Sequence, residues 1–182
     1  MTIIKQKVLF ISGSPRKGNT EYTIRKLYDS FSGSRDIICL REYRIDYCNG
    51  CMACKKTSVC TIKDDMDAIN QRVLNSDILI IGSPNYFDNV PGMLKTFIDR
   101  TNPLYHTKSL KGKKVVFIVF GGGRVKHSER VASGPLAHFA ETHGMDVIGS
   151  FCFKALEVGE TANNPQFQSD VDEILGLVSS AK

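Results

Sequence analysis

Short apolar runs alternate with longer amphipathic stretches along the whole chain, a pattern that predicts parallel strands joined by crossover helices. Strands are expected at residues 8–11, 37–40, 78–81, 115–120 and 147–153, each rich in Val, Ile or Phe. Helical spacing of apolar residues follows at 20–31 (Ile24, Leu27, Tyr28, Phe31) and 66–74 (Met66, Ile69, Val73, Leu74). A third helix should begin at Pro91 and bury Met93, Leu94, Phe97 and Ile98, a fourth should run over 133–142 and stop at Gly144, and a last one should cover 169–178. No repeat, low-complexity tract or Pro/Ser-rich linker interrupts the pattern, so residues 1–182 read as one domain carrying a cysteine-rich loop at 47–61.

Five strands in a doubly wound α/β fold commonly take the order 2-1-3-4-5. Ligands then bind outside the carboxyl ends of the strands where the winding reverses, between the first and third. The loops that would form such a site are 12–19, 83–90 and 121–126. The first, Ser12-Gly13-Ser14-Pro15-Arg16-Lys17-Gly18-Asn19-Thr20, leads into a helix start, where unpaired N–H groups and the dipole favour an anion. Ser12, Ser14, Asn19 and Thr20 add hydrogen-bonding groups, and Arg16 can neutralise a phosphate charge. Neither a Walker ending nor the three-glycine dinucleotide spacing is present, so the loop suits one phosphate monoester; the plain alternative is a polar turn with a Thr cap. The second loop sets Pro84, Asn85, Tyr86, Phe87 and Asn89 where a flat heteroaromatic ring would lie, although such aromatics equally serve cores and interfaces. Gly121, Gly122 and Gly123 allow the backbone to approach the same ring, or form a flexible turn.

Composition narrows the partners. A hydrophobic fraction of 42% in 182 residues fills one α/β domain but not two. The net charge of +5 is scattered rather than gathered among aromatics, which argues against nucleic acid and fits an anionic small ligand as well as a solvated surface. No apolar run nears the ~20 residues needed to cross a bilayer, and the opening residues lack the apolar region of a signal peptide, so a cytoplasmic chain without a membrane partner is expected.

Several segments together carry a family resemblance: Gly-Ser-Pro-Arg-Lys-Gly-Asn-Thr at 13–20, Asp-Asp-Met at 64–66, Gly-Ser-Pro-Asn-Tyr-Phe at 82–87 and Pro-Gly-Met-Leu-Lys-Thr-Phe-Ile-Asp-Arg at 91–100. The chain resembles the NADPH-dependent FMN reductase family of the flavodoxin-like group over roughly residues 7 to 150. The resemblance implies a three-layer flavodoxin-like fold. It also implies that Ser12, Ser14, Arg16, Asn19 and Thr20, with Pro15 in the same loop, hold the FMN phosphate. Pro84, Asn85, Tyr86, Phe87, Asn89, Gly121 and Gly122 would border the flavin.

Six cysteines in a chain without export signals point to metal or redox chemistry rather than disulfides. Cys39 and Cys152 stand alone in apolar surroundings and are expected to pack in the core. Cys48, Cys51, Cys54 and Cys60 are separated by two, two and five residues, a spacing that suits a 4Fe-4S cubane more than structural zinc. The same spacing is similar to that of iron-sulfur flavoproteins, a branch of the family; reduced thiols, a redox dithiol and zinc are the alternatives. The loop after the second strand is expected at the flavin edge of the sheet, with its root roughly 10 Å from the switch point.

These features imply electron transfer between a 4Fe-4S cluster and FMN, with a small molecule or protein as donor and acceptor and a homodimer or homotetramer as the assembly. The alternative is an NAD(P)H-dependent FMN or quinone reductase without a cluster. A second alternative is a cysteine-based redox sensor or zinc-binding protein. No protein acid or base is required, and His106, His127, His138 and His143 are expected at surface, packing or helix-end positions. Arg124 or Lys126 is a candidate contact for a nicotinamide phosphate.

Overall fold

The computed structural model describes residues 6–122 and 128–181. In chain order it contains β1 (Lys7–Ser12), α1 (Asn19–Ser30), β2 (Ser34–Cys39), α2 (Ala53–Thr57), α3 (Met66–Leu74), β3 (Ile78–Pro84), α4 (Gly92–Arg100), α5 (Asn102–His106), β4 (Lys114–Gly121), α6 (Ser128–Val131), α7 (Gly134–His143), β5 (Asp146–Lys154) and α8 (Phe167–Ser180). The five strands are parallel in the order β2-β1-β3-β4-β5, so the winding reverses between β1 and β3 as the sequence led us to expect.

Alternate residues of the inner strands face opposite layers. Leu9, Ile11, Leu79, Ile81, Phe117 and Val119 pack under α3, α4 and α7 through Ile69, Val73, Leu94, Phe97, Leu136 and Phe139. Val8, Phe10, Ile78, Ile80, Val116 and Ile118 pack on α1 and α8 through Ile24, Leu27, Val171, Ile174 and Val178. Burial on both faces explains why these strands read as continuous apolar runs.

Of the third helix's expected core residues, Leu94 and Phe97 are fully buried, whereas Met93 and Ile98 lie half-buried at its edge. Gly144 ends α7 in the left-handed conformation with φ 67°. Cys39 is buried as expected, but Cys152 is exposed, which corrects its assignment to the core. The reason is the position of β5 at the edge of the sheet. Phe151 and Phe153 pack against the layer of α1 and α8, whereas Cys152 alternates to the opposite face, where no described residue of β5 joins the buried core.

Candidate functional site

Three loops meet at the carboxyl edge of β1, β3 and β4. The Gly13 N–H donates to the Gly82 carbonyl at 2.8 Å and ties the first loop to β3. A Cβ at Gly13 would meet Leu94 at 2.6 Å, and one at Gly82 would meet Ile24 at 2.8 Å, so both glycines answer a close approach of helix to strand. Ser14 Oγ donates to the Arg16 carbonyl at 2.7 Å and accepts from the Arg16 N–H at 3.3 Å, which folds the loop and leaves Pro15, Arg16 and Lys17 exposed. Gly18 opens α1 without a side-chain cap, so helix geometry leaves the amides of Asn19, Thr20 and Glu21 for an outside acceptor. Ser12 Oγ is fully buried and has no hydrogen-bond partner among the described residues.

The side chain of Asn19 serves a different purpose from the one expected. Its Nδ2 donates to the Glu157 carbonyl at 2.8 Å, and its Oδ1 accepts from the Gly159 and Thr161 amides at 3.1 and 3.4 Å. Asn19 therefore offers an anion its backbone N–H, and its amide group pins the 157–161 segment beside the loop.

Glu21, in the first turn of the same helix, would repel an anion if its charge stood alone. Arg41 meets it at 2.6 and 2.9 Å and Arg25 at 2.9 Å. The Arg41 hydrogen bonds hold the Glu21 carboxyl below the usual range against the opposing effect of burial. Glu21, Cys39 and Glu42 bring donor atoms within 4.8 Å of one another. The two carboxylates are already taken by the arginines, so this is an ion-pair cluster.

In the second loop the Asn85 N–H donates to the Phe120 carbonyl at 2.6 Å and joins it to the third. Tyr86 and Asn89 exchange backbone hydrogen bonds at 2.8 and 3.1 Å around a two-residue turn, with Phe87 at φ 52° and Asp88 at φ 58°. Hairpin turns of this type favour Asn and Gly, because a bulky residue is strained in the left-handed region. The Phe87 ring is fully exposed and Tyr86 is 42% exposed, while Pro84 is half-buried at the end of β3. Gly121 accepts from the Ala155 N–H at 3.3 Å, and a Cβ on Gly122 would meet Leu156 at 2.7 Å. Gly123, Arg124, Lys126 and His127 lie outside the described residues.

Cys48, Cys51, Cys54 and Cys60 line one small cavity of about 20 Å³, together with Asp99, Arg100, Asn102 and Pro103. Cys54 is buried on α2, Cys60 is half-buried, and Cys48 and Cys51 are exposed. Asn102 Nδ2 donates to Cys54 Sγ at 3.5 Å, and Cys51 Sγ lies 3.5 Å from Thr61 Oγ1. The Thr61 contact pulls the Cys51 thiol pKa down, whereas burial pushes that of Cys54 up. No three of these sulfurs lie within 4.8 Å of one another. Tetrahedral zinc, with Zn–S near ~2.3 Å, would draw its sulfurs to about 3.8 Å, closer than they stand here. Four thiols on one cavity fit an iron-sulfur centre by donor type. The volume is that of about one water, and Cys48 and Gly50 also line a larger neighbouring cavity of about 690 Å³.

The cavity lies at the far end of α4, whose start follows the second loop, so about 12 Å of helix separates the two. Arg100 and Asn102, which line it, and Asp64, which pairs with Arg100, were not singled out by sequence reasoning; the available signal was Asp64 and Arg100 standing in two of the family-like segments. His143 is buried as a packing residue and His138 is exposed on α7. No helix among the described residues is long and apolar enough to cross a membrane.

Residues 6–157 match the family described as NADPH-dependent FMN reductase. An iron-sulfur flavoprotein of Methanocaldococcus jannaschii is 33% identical over 147 residues, covering 79% of this chain and 76% of that protein. A Bacillus subtilis protein provisionally named an NAD(P)H-dependent FMN-containing oxidoreductase is 33% identical over 177 residues, 93% of this chain and 96% of that one. The structure of the Trp repressor binding protein from Bacillus subtilis superposes with a TM-score of 0.68 at 22% identity, covering 93% of this chain and 97% of that one, a likeness of fold.

Proposed function

Because this chain belongs to the NADPH-dependent FMN reductase family, we propose that it is an FMN-dependent oxidoreductase taking a hydride from NADPH or NADH and delivering the electrons to a small acceptor such as a quinone or free flavin. The observation that carries this reading is the buried, unpartnered Ser12 Oγ beside the uncapped start of α1, at the point where the sheet reverses its winding. FMN, when bound, supplies the hydride and electron chemistry. Ser12 Oγ, Ser14, Arg16 and the backbone amides of Asn19 and Thr20 hold its phosphate, with Pro15 shaping the loop. Pro84, Asn85, Tyr86, Phe87, Asn89, Gly121 and Gly122 border its ring, and the exposed aromatics of the second loop shield it from water.

The test is an anaerobic titration of the apoprotein with FMN, followed by mixing with NADPH and with NADH. Stoichiometric binding and bleaching of the flavin within seconds support the reductase. Failure to bind FMN overturns the flavoprotein reading, and binding without nicotinamide-driven bleaching overturns the choice of donor.

A second reading is favoured by the four cysteines on one cavity: a 4Fe-4S centre that exchanges single electrons with FMN. The likeness to proteins named iron-sulfur flavoprotein supports it. About four irons and four sulfides per FMN in protein handled without oxygen sustain this reading. A full complement of flavin without iron leaves the reductase alone.

A further inference from the structure

One side chain closes the base of the cysteine loop. Arg100, 1% exposed at the end of α4, faces the carboxylate of Asp64, whose side chain is fully buried. Its Nη1 donates to Asp64 Oδ2 and to the Asp46 carbonyl, both at 2.6 Å. Its Nη2 donates to Asp64 Oδ1 at 2.9 Å and to the Ile62 carbonyl at 3.5 Å. Asp64 in turn accepts from the Asp46 N–H at 2.8 Å and the Met66 N–H at 3.0 Å. Asp46 precedes Cys48 and Ile62 follows Cys60, so one guanidinium holds both ends of the stretch that carries the four thiols. Closing the ends of a long loop removes much of its conformational freedom, and only a planar fork of donors reaches a carboxylate and two carbonyls at once.

Arg100 is also part of the cavity wall, alongside Cys60. Burial works against its charge, but Asp64 and Cys60 together outweigh that and raise its pKa. Its remaining donor, the Nε–H, is buried and has no partner among the described residues. A buried N–H without an acceptor is costly, and the polarisable groups of this cavity are sulfurs.

We propose that Arg100 is the positioning residue of the four-cysteine site, clamping both ends of the loop and keeping its Nε–H for a sulfur acceptor in the cavity. The Nε–H assignment rests on the iron-sulfur reading above, whereas the clamp stands without it.

Arg100→Lys keeps the charge and loses the fork; Asp64→Asn leaves Arg100 in place and weakens its anchor. FMN content and melting temperature report folding in both. After anaerobic reconstitution with iron and sulfide, Arg100→Lys should hold at least fivefold less iron than the wild type. In the metal-free proteins, iodoacetamide should modify Cys60 at least tenfold faster in both variants, read by mass spectrometry. Any centre that still assembles in Arg100→Lys should have a more negative reduction potential, because a hydrogen bond to sulfur favours the reduced form. Full iron content with unchanged Cys60 labelling overturns the clamp, and an unchanged potential overturns the Nε–H assignment. If the wild type takes up no iron, the iron-sulfur reading fails and the Nε–H assignment with it. Labelling then judges the clamp: faster in both variants supports it, unchanged in both overturns it.

Discussion

Thr101 Oγ1 and His143 Nε2 lie 3.0 Å apart in a buried seam between the ends of α4 and α7. The imidazole also packs edge-on against Tyr105 and Phe139. Burial pushes the His143 pKa down from 6.5 to about 4, so the ring is neutral in the folded chain near neutrality. Between those two values the unfolded chain binds a proton that the folded chain does not. The stability is therefore fully present above pH 6.5 and is lost as the pH falls toward 4. The loss reaches up to about 3 kcal/mol. Urea denaturation at pH 7.5 and 5 should show it in the wild type, and His143→Gln should flatten it.

Ser12→Ala should act with opposite signs on the empty and loaded protein. Removing a buried hydroxyl that has no partner leaves the apoprotein as stable as before, or more so by up to about 1 kcal/mol. Losing a hydrogen bond to a charged phosphate weakens FMN by about 1.5–3 kcal/mol. Melting curves with and without FMN separate the two effects. Equal affinity in wild type and variant would remove Ser12 from the phosphate site.

Phe87→Gly relieves a left-handed backbone strained by a bulky residue and should raise the unfolding free energy by about 1 kcal/mol. With the ring fully exposed, no packing is lost in return. If that aromatic shields the flavin, kcat/KM falls while the melting temperature rises. A variant that is more stable and equally active would leave the strained Phe87 without a role at the ring.

Asn19→Ala removes three hydrogen bonds to the 157–161 segment. A loss of about 1–3 kcal/mol is expected, with faster proteolysis within that segment. FMN affinity should fall as well, because the amides of the first turn lose their brace. Limited proteolysis and flavin titration on the same sample check both.

The strands and the longer helices were legible because each buries a periodic face. Met66–Leu74 appears with the bounds its apolar spacing gave. α2 and α5 were not legible: at five residues each they complete little more than one turn, and α2 is flanked by Met52 and Ser58 in the left-handed conformation rather than by a cap. Cys152 was misplaced because an apolar run does not reveal that its strand lies at the sheet edge. At the candidate site, the glycines and serines of the first loop were readable from their position after β1. The use of the Asn19 side chain was not, since its partners lie 138 to 142 residues away. The cysteines announced themselves by spacing, but the buried Arg100–Asp64 pair that frames them becomes visible only in three dimensions.

The Asn19 tie also has a consequence for the order of events during synthesis. The first loop and α1 are made 138 to 142 residues before the segment that braces them. A nascent chain that stops short of residues 157–161 therefore holds this loop without its brace, and the loop settles only once that later segment has been made and has docked on Asn19.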